Sequence, residues 1–241
     1  MNLKYQSTIN YDQKAIISMI NNISSVGFKI NGEVLDFILS KGIELNLITD
    51  PNLPHELELK SKTVKLTISE KKKLDSYLST RRLEMNILGL AYIYKNLSEF
   101  YIPVRLDNRG RVYCTSEYLN YQSTELAKAL LLFSKTEKIS KSDKKAIDYL
   151  KIFGANCYGN GLDKKSFEDR INWTVINEFN ILNFKNGILL READSKLLFL
   201  AFCFEYCKYK QSLEDESSFY LSDFPIQFDS TCNGYQHLAL N

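Results

Sequence analysis

The sequence has 241 residues, of which 44% are hydrophobic and 25% charged, close to the averages of globular proteins. This composition excludes disordered and fibrous proteins, and the length is enough for one large domain or two small ones with a real core. The longest apolar run, residues 197–204, is far shorter than the roughly 20 residues that a membrane-spanning helix needs. A soluble protein without a membrane partner is therefore expected.

The formal net charge of +2 conceals an uneven distribution of charge along the chain. Residues 60–111 contain twelve Lys or Arg and five Asp or Glu, whereas the segments before and after are slightly acidic. A basic block in a nearly neutral protein indicates one face that meets a polyanion. A solvated helix face together with a lysine-rich loop would explain the count equally well.

Cysteine usage indicates a reducing compartment. The five cysteines are scattered, form no CxxC pair, and have only His55 and His237 as further soft ligands, so no zinc site can be assembled. The N-terminus shows no hydrophobic signal core and few arginines, so neither a secretory nor a transit peptide is expected.

The first elements are short helices. Residues 12–24 and 32–41 have helical apolar spacing, and Asn31 and Gly42 are suited to begin and end the second helix. Residues 44–65 are predicted to be a loop because Pro51 and Pro54 interrupt any helix.

A long basic helix is predicted next. Thr67 and Glu70 have the spacing of a capping box, and a helix of about 45 Å should run to about residue 97. Its expected apolar face is formed by Leu74, Leu78, Met85, Leu88 and Tyr92.

The second half of the chain mixes strands with helices. Residues 101–106 and 111–115 are predicted to form a hairpin around Asp107–Gly110. Helices are predicted at 124–134, 141–153, 167–183 and 193–209, the second and third beginning near Ser140 and Ser166, and a short strand at 224–228. The expected fold class is α+β and mostly helical.

The hairpin tip is the first candidate site. Arg109 and Arg111 flank a glycine on a tight turn, where forked guanidinium donors can reach successive phosphates and Asp107 can hold one arginine in place. An ordinary surface turn with an internal ion pair is the alternative.

Two further segments carry chemistry-bearing residues. Asp229 follows a short apolar segment and is suited to bind Mg²⁺, or alternatively to cap a helix that starts near Thr231. Lys164 follows a glycine-punctuated turn predicted at 154–159 and can meet a triphosphate, or alternatively face solvent. No GxxxxGK[ST] phosphate loop is present in the sequence.

Taken in order, these segments resemble the bacteriophage-type single-subunit DNA-directed RNA polymerases, including mitochondrial enzymes and those of linear mitochondrial plasmids. The resemblance rests on five blocks, with a weaker match at 27–35: FYIPVRLDNRGRVY at 100–113, LNYQ at 119–122 with ELAKALL at 125–131, YLKIFGANC at 149–157, FLAFCFEY at 199–206, and FDSTCNGYQH at 228–237.

The resemblance implies roles for individual residues. Asp229 matches the first of two catalytic aspartates that bind Mg²⁺, and Ser230, where the family usually has glycine or alanine, matches a position whose backbone carbonyl meets a metal. Arg109 and Arg111 match the element that contacts the template and the RNA–DNA hybrid. Lys128 and Lys164 match basic positions of the active-site cavity, with Lys164 assigned to the phosphates of the incoming ribonucleoside triphosphate.

The implied activity is template-dependent ribonucleotidyl transfer by two Mg²⁺ ions, with a DNA template, an RNA product and ribonucleoside triphosphates as partners. Residues 1–98 are expected to be a thumb-like helical region and 99–241 the first part of the palm. The fingers helix and the second catalytic aspartate are not found in the sequence, so a fragment inactive on its own is expected. A non-catalytic nucleic-acid-binding remnant is the alternative. The resemblance also implies a mitochondrial location.

Overall fold

The computed structural model describes residues 13–52 and 55–227 and confirms the α+β class. The α-helices within these residues are α1 Gln13–Ser24, α2 Gly32–Lys41, α3 Glu56–Ser61, α4 Ile68–Tyr94, α5 Glu125–Ala129, α6 Lys144–Tyr158, α7 Phe167–Ile176, α8 Glu178–Leu182, α9 Ile188–Glu192 and α10 Lys196–Ser212. The strands are β1 Gly27–Ile30, β2 Phe100–Tyr101, β3 Val104–Leu106, β4 Val112–Cys114, β5 Leu131–Phe133, β6 Glu137–Ser140 and β7 Phe219–Ser222. No helix in this part of the chain is both long and apolar enough to cross a membrane.

All strand pairs of the described residues are antiparallel. One sheet has the order β2-β1-β5, and the other two are the pairs β3-β4 and β6-β7. The predicted hairpin is confirmed next to its turn: Val104 pairs with Cys114 and Leu106 with Val112, which leaves residues 107–111 as its tip. The predicted first strand 101–106 is too long, because Tyr101 belongs to β2 and pairs with β1.

The core is built around α10. Its residues Phe199, Leu200, Phe202 and Tyr206 are almost completely buried, and α2, α5, α6, α8, α9 and β7 pack on it. Nearly every face of α10 is covered. Its sequence is therefore a nearly continuous apolar run, without the one-sided apolar stripe of an amphipathic helix. The central helix thus contacts the β6-β7 pair through β7, and it also packs against α2 and α5.

Gly154 allows α6 to approach α10 closely. It is buried in the middle of α6, and a Cβ built on it would lie 2.5 Å from Cε2 of Phe202 and nearer still to other ring carbons. The prediction that residues 154–159 form a glycine-punctuated turn is therefore wrong for Gly154, and correct only at Gly159, which ends the helix with a φ of 74°.

The long helix α4 begins as predicted. Thr67 accepts from the Glu70 amide, and the Glu70 carboxylate accepts from the Thr67 amide at 2.8 Å, so both halves of the capping box are present. At 27 residues the helix is about 40 Å long. The predicted apolar face is only partly correct, because Leu74, Ile87 and Ala91 are buried whereas Met85 and Tyr92 are exposed.

Other predicted helices begin or end elsewhere in the structure, because long-range contacts determine their limits. The predicted helix 124–134 ends at Ala129, because residues 131–133 pair with β1 as strand β5. The predicted helix 167–183 is divided at Asn177 into α7 and α8, and the predicted loop 44–65 contains the short helix α3. Asp143 rather than Ser140 caps α6, since Ser140 ends β6, while Ser166 caps α7 as expected. Residues 224–227 form no strand; β7 ends just before them.

Candidate nucleic-acid interface

The tip of the β3-β4 hairpin is organised by one carboxylate. Oδ1 of Asp107 accepts from the amides of Arg109 and Arg111, each at 2.9 Å, and Oδ2 accepts from Nε of Arg109 at 3.1 Å. Gly110 has a φ of 75°, which only glycine adopts readily in a turn this tight. The tip therefore has one fixed shape before any ligand binds.

The charges at the tip stabilise each other. The Arg111 amide, followed by the Arg109 amide and guanidinium, holds the pKa of Asp107 below its usual range. Asp107 and Tyr113 raise the pKa of Arg109. The tip consequently contains a preformed ion pair between Asp107 and Arg109. An ion pair of this kind is expected for an ordinary surface turn.

Further cationic groups remain available on the same hairpin. The Arg109 side chain is 67% exposed despite its pair with Asp107, and Arg105 and Arg111 are exposed and form no ion pair with any described residue. An open cavity of about 650 Å³ is lined by Arg105, Leu106, Asp107, Asn108, Arg109 and Tyr113. Two guanidinium groups and an exposed phenol ring beside one cavity are suited to phosphates and an unstacked base.

The sequence patterns did not predict Arg105 and Tyr113 as part of this site. Each lies within a strand rather than at the turn, and their common location follows from the register, in which Arg105 pairs directly with Tyr113. A signal was present, because residues paired across a hairpin share a face once the turn length is known.

The hairpin is fixed on its base by side chains of neighbouring loops. Gln122 accepts from the Cys114 amide at 2.7 Å and donates to the Val112 carbonyl at 2.9 Å, and so pairs with the free edge of β4 as a further strand would. Ser24 of α1 accepts from the Val104 amide at 3.1 Å. These bonds hold the arginine-bearing tip on a rigid support.

Lys128 lies in a different cavity, of about 500 Å³. The cavity is mostly apolar, and its lining includes Phe28, Tyr121, Lys128 and the segment Pro225–Gln227. Phe28 and Tyr121 stack with ring centroids 5.7 Å apart. Lys128 thus presents a half-buried ammonium group beside the last described residues before Asp229.

Glu125, one turn before Lys128, has a structural role. Its Oε1 accepts from the amides of Leu197 and Leu198, the latter at 3.0 Å, at the N-terminus of α10. Burial raises the pKa of Glu125, although these two amides oppose the shift. The carboxylate therefore joins α5, and with it Lys128, to the central helix.

Lys164 is exposed on a single 3-10 turn, Leu162–Lys164, and lines neither cavity. Arg170 stabilises the loop that contains this turn. Its guanidinium donates to the Asp163 and Lys165 carbonyls and to Oδ1 of Asn156. At the start of the loop, Asp194 accepts from the Asn160 amide at 2.7 Å. The loop therefore presents Lys164 from a fixed backbone.

The structure thus brings Arg109 and Arg111 together on one hairpin, with Lys128 and Lys164 each on a separate element. Asp229 and Ser230 lie outside the described residues. Within residues 13–52 and 55–227 no three His, Cys, Asp or Glu side chains are grouped as a metal site, and Asp223 is paired with Lys29 at 2.6 Å.

An α+β scaffold that displays arginines and an aromatic ring on a rigid hairpin is typical of a nucleic-acid-binding protein. The profile of the DNA-dependent RNA polymerase family matches residues 140–240. A probable DNA-directed RNA polymerase of Podospora anserina is 53% identical over 93% of this chain and 24% of its own length. The T7 RNA polymerase of Escherichia phage T7 is 34% identical over 68% of this chain and 18% of its own.

A mitochondrial DNA-directed RNA polymerase of Neurospora crassa is 32% identical over 95% of this chain and 17% of its own length. The chain belongs to the phage-type single-subunit DNA-directed RNA polymerase family. It spans about a quarter or less of the length of these curated relatives. The resemblance predicted from the sequence blocks is confirmed.

Proposed function

We propose that this chain is the part of a DNA-directed RNA polymerase that holds the template and the RNA–DNA hybrid and supplies one metal-binding carboxylate for ribonucleotidyl transfer. The observation that carries the proposal is the hairpin, which displays Arg105 on its first strand and Arg109 and Arg111 on a tip preorganised by Asp107. The family relationship supports nucleic acid as the ligand of this tip.

In this proposal the hairpin arginines bind successive backbone phosphates, and Tyr113 offers a ring against which a base can stack. Lys128 faces the hybrid from its half-buried position, and Lys164 binds the phosphates of the incoming ribonucleoside triphosphate. These contacts position the nucleic acid and are independent of its sequence.

Asp229 and the backbone carbonyl of Ser230 are proposed as Mg²⁺ ligands on the basis of the sequence motif. When bound, Mg²⁺ would supply activation of the RNA 3′-hydroxyl and neutralisation of the triphosphate. We assign the thumb-like region to residues 1–98 and the palm to 99–241, and propose a mitochondrial location, which the mitochondrial relative supports.

The test is binding of the 241-residue chain to an RNA–DNA hybrid over a series of salt concentrations. Arg109→Ala and Arg111→Ala should each weaken binding and reduce the slope of log affinity against log salt by about 1, because one phosphate contact is lost. Lys145→Ala removes an exposed charge from α6, which packs on α7 and α10 rather than on the hairpin, and serves as the matched control. Unchanged affinity and slope in both arginine variants would refute the assignment.

A further inference from the structure

Glu205 is a carboxylate in the centre of α10 that is only 2% exposed. The helix needs no charge there, and burying a carboxylate is costly unless hydrogen bonds compensate for the lost water. Oε1 of Glu205 accepts from the hydroxyl groups of Tyr220 and Ser222, the latter at 2.5 Å. Both donors belong to β7 and lie two residues apart, hence on one face of the strand.

Ser222 extends this contact to the chain beyond β7. Its Oγ donates to Glu205 and also accepts from the Phe224 amide at 3.3 Å. A continuous series of hydrogen bonds therefore runs from the Glu205 carboxylate through the Ser222 hydroxyl to the Phe224 backbone. A hydroxyl group serves both functions because it is donor and acceptor at once.

The chain after β7 is held at two neighbouring points. Lys29 pairs with Asp223 at 2.6 Å, and the Phe133 amide donates to the Asp223 carbonyl at 2.9 Å. The Phe224 ring packs edge-on against Phe153 of α6. Residues 225–227 then line the cavity of Lys128, and Asp229 follows two positions later in the sequence.

We propose that Glu205 is a positioning residue: through Ser222 and the Phe224 amide it fixes the direction in which the chain leaves β7 toward the segment that carries Asp229. Its meaning for catalysis rests on the proposed function of Asp229. Glu205 itself is not expected to touch substrate. The contacts with Lys29 and Phe133 hold Asp223 in place, whereas the Glu205 series orients the next peptide.

Residue-resolved amide hydrogen exchange of the 241-residue chain tests this proposal at Phe224. Ser222→Ala should accelerate exchange of the Phe224 amide about fivefold, the factor expected for one hydrogen bond. Ser222→Thr keeps the hydroxyl and should leave the Phe224 amide as protected as in the unchanged chain. Glu205→Gln replaces a charged acceptor by a weaker neutral one. Exchange of the Phe224 amide should therefore accelerate in this variant too, although this amide makes no hydrogen bond to Glu205.

Ser217→Ala is the matched control, because it removes a hydroxyl–amide bond at the opposite end of β7 and should leave Phe224 unchanged. The proposal is overturned if Ser222→Ala leaves Phe224 protected, if Ser222→Thr does not keep it protected, or if a folded Glu205→Gln leaves Phe224 exchange unchanged. Should Glu205→Gln not fold, the two Ser222 variants decide. The role of Asp229 is tested separately by Mn²⁺ binding to Asp229→Asn, so either proposal can fail without the other.

Discussion

Two buried carboxylates illustrate what single residues contribute to this structure. Glu125 reaches the N-terminus of α10 over 72 positions of sequence, and Glu205 reaches β7. In the sequence each is one acidic residue in a helical segment, which would ordinarily face solvent. Their roles depend on partners that only the folded chain brings near, so local patterns could not reveal them.

Glu125 makes stability depend on pH. Because burial raises its pKa in the folded protein, its favourable contribution is complete below the ordinary carboxyl pKa and is lost as the pH rises through the folded-state value. Glu125→Gln keeps an oxygen acceptor without a charge. The free energy of unfolding of this variant, relative to the unchanged chain, should therefore increase from acid to neutral pH and then level off, as measured by urea titrations.

Glu125→Ala separates the charge from the hydrogen bonds. It leaves the Leu197 and Leu198 amides without their acceptor, so its free energy of unfolding should lie about 1–2 kcal/mol below that of Glu125→Gln at every pH, because both variants lack the titrating carboxyl. A Gln variant whose difference from the unchanged chain does not vary with pH would show that the carboxylate is not destabilised by burial.

Elements whose ends are set by local capping were predicted well from sequence. The Thr67–Glu70 box, the Asn31 cap and the hairpin turn all depend on residues within a few positions of one another. The failures share a different cause. Leu131–Phe133 were predicted as helix and form β5, because β1, about a hundred residues earlier, offers a partner there.

Two helical glycines with opposite surroundings test how closely the elements pack. Gly154→Ala forces a Cβ into the Phe202 ring and should lower the free energy of unfolding by about 1–3 kcal/mol. Gly89 lies in α4, where an added Cβ would meet nothing within 4 Å. Gly89→Ala should therefore raise the free energy of unfolding by about 0.5–1 kcal/mol through helix propensity. Thermal unfolding of both variants checks the pair. A loss at Gly89 equal to that at Gly154 would contradict the packing argument.

At the scale of the molecule, the basic block 60–111 is divided between two elements. Lys60, Arg81 and Lys95 are neutralised by Glu70, Glu58 and Asp36, so part of the block serves the fold. The remaining exposed cations lie in three places: Lys62 and Lys65 just before α4, Lys71, Lys72, Lys73 and Arg82 on α4, which packs on α3, and Arg105, Arg109 and Arg111 on the hairpin, which packs on α1. The sequence predicted a surplus of charge but not this division, because ion pairing depends on tertiary contacts.

This division gives a prediction about the length of nucleic acid that is bound. A triple change of Lys71, Lys72 and Lys73 to Ala leaves the hairpin intact, and Arg105→Ala leaves the helix intact. If one hybrid spans both elements, each change should lower the salt slope on a hybrid of roughly sixteen base pairs, and their effects should add, because separate phosphates are released.

A shorter hybrid of roughly eight base pairs cannot reach along a helix of about 40 Å and the hairpin together. On that ligand Arg105→Ala should still lower the slope by about 1, whereas the triple lysine change should have no effect. Fluorescence anisotropy titrations at several salt concentrations measure both slopes. Equal effects of the lysine change on the two hybrids would mean that helix and hairpin do not share one ligand, and that the +7 block is two surfaces rather than one.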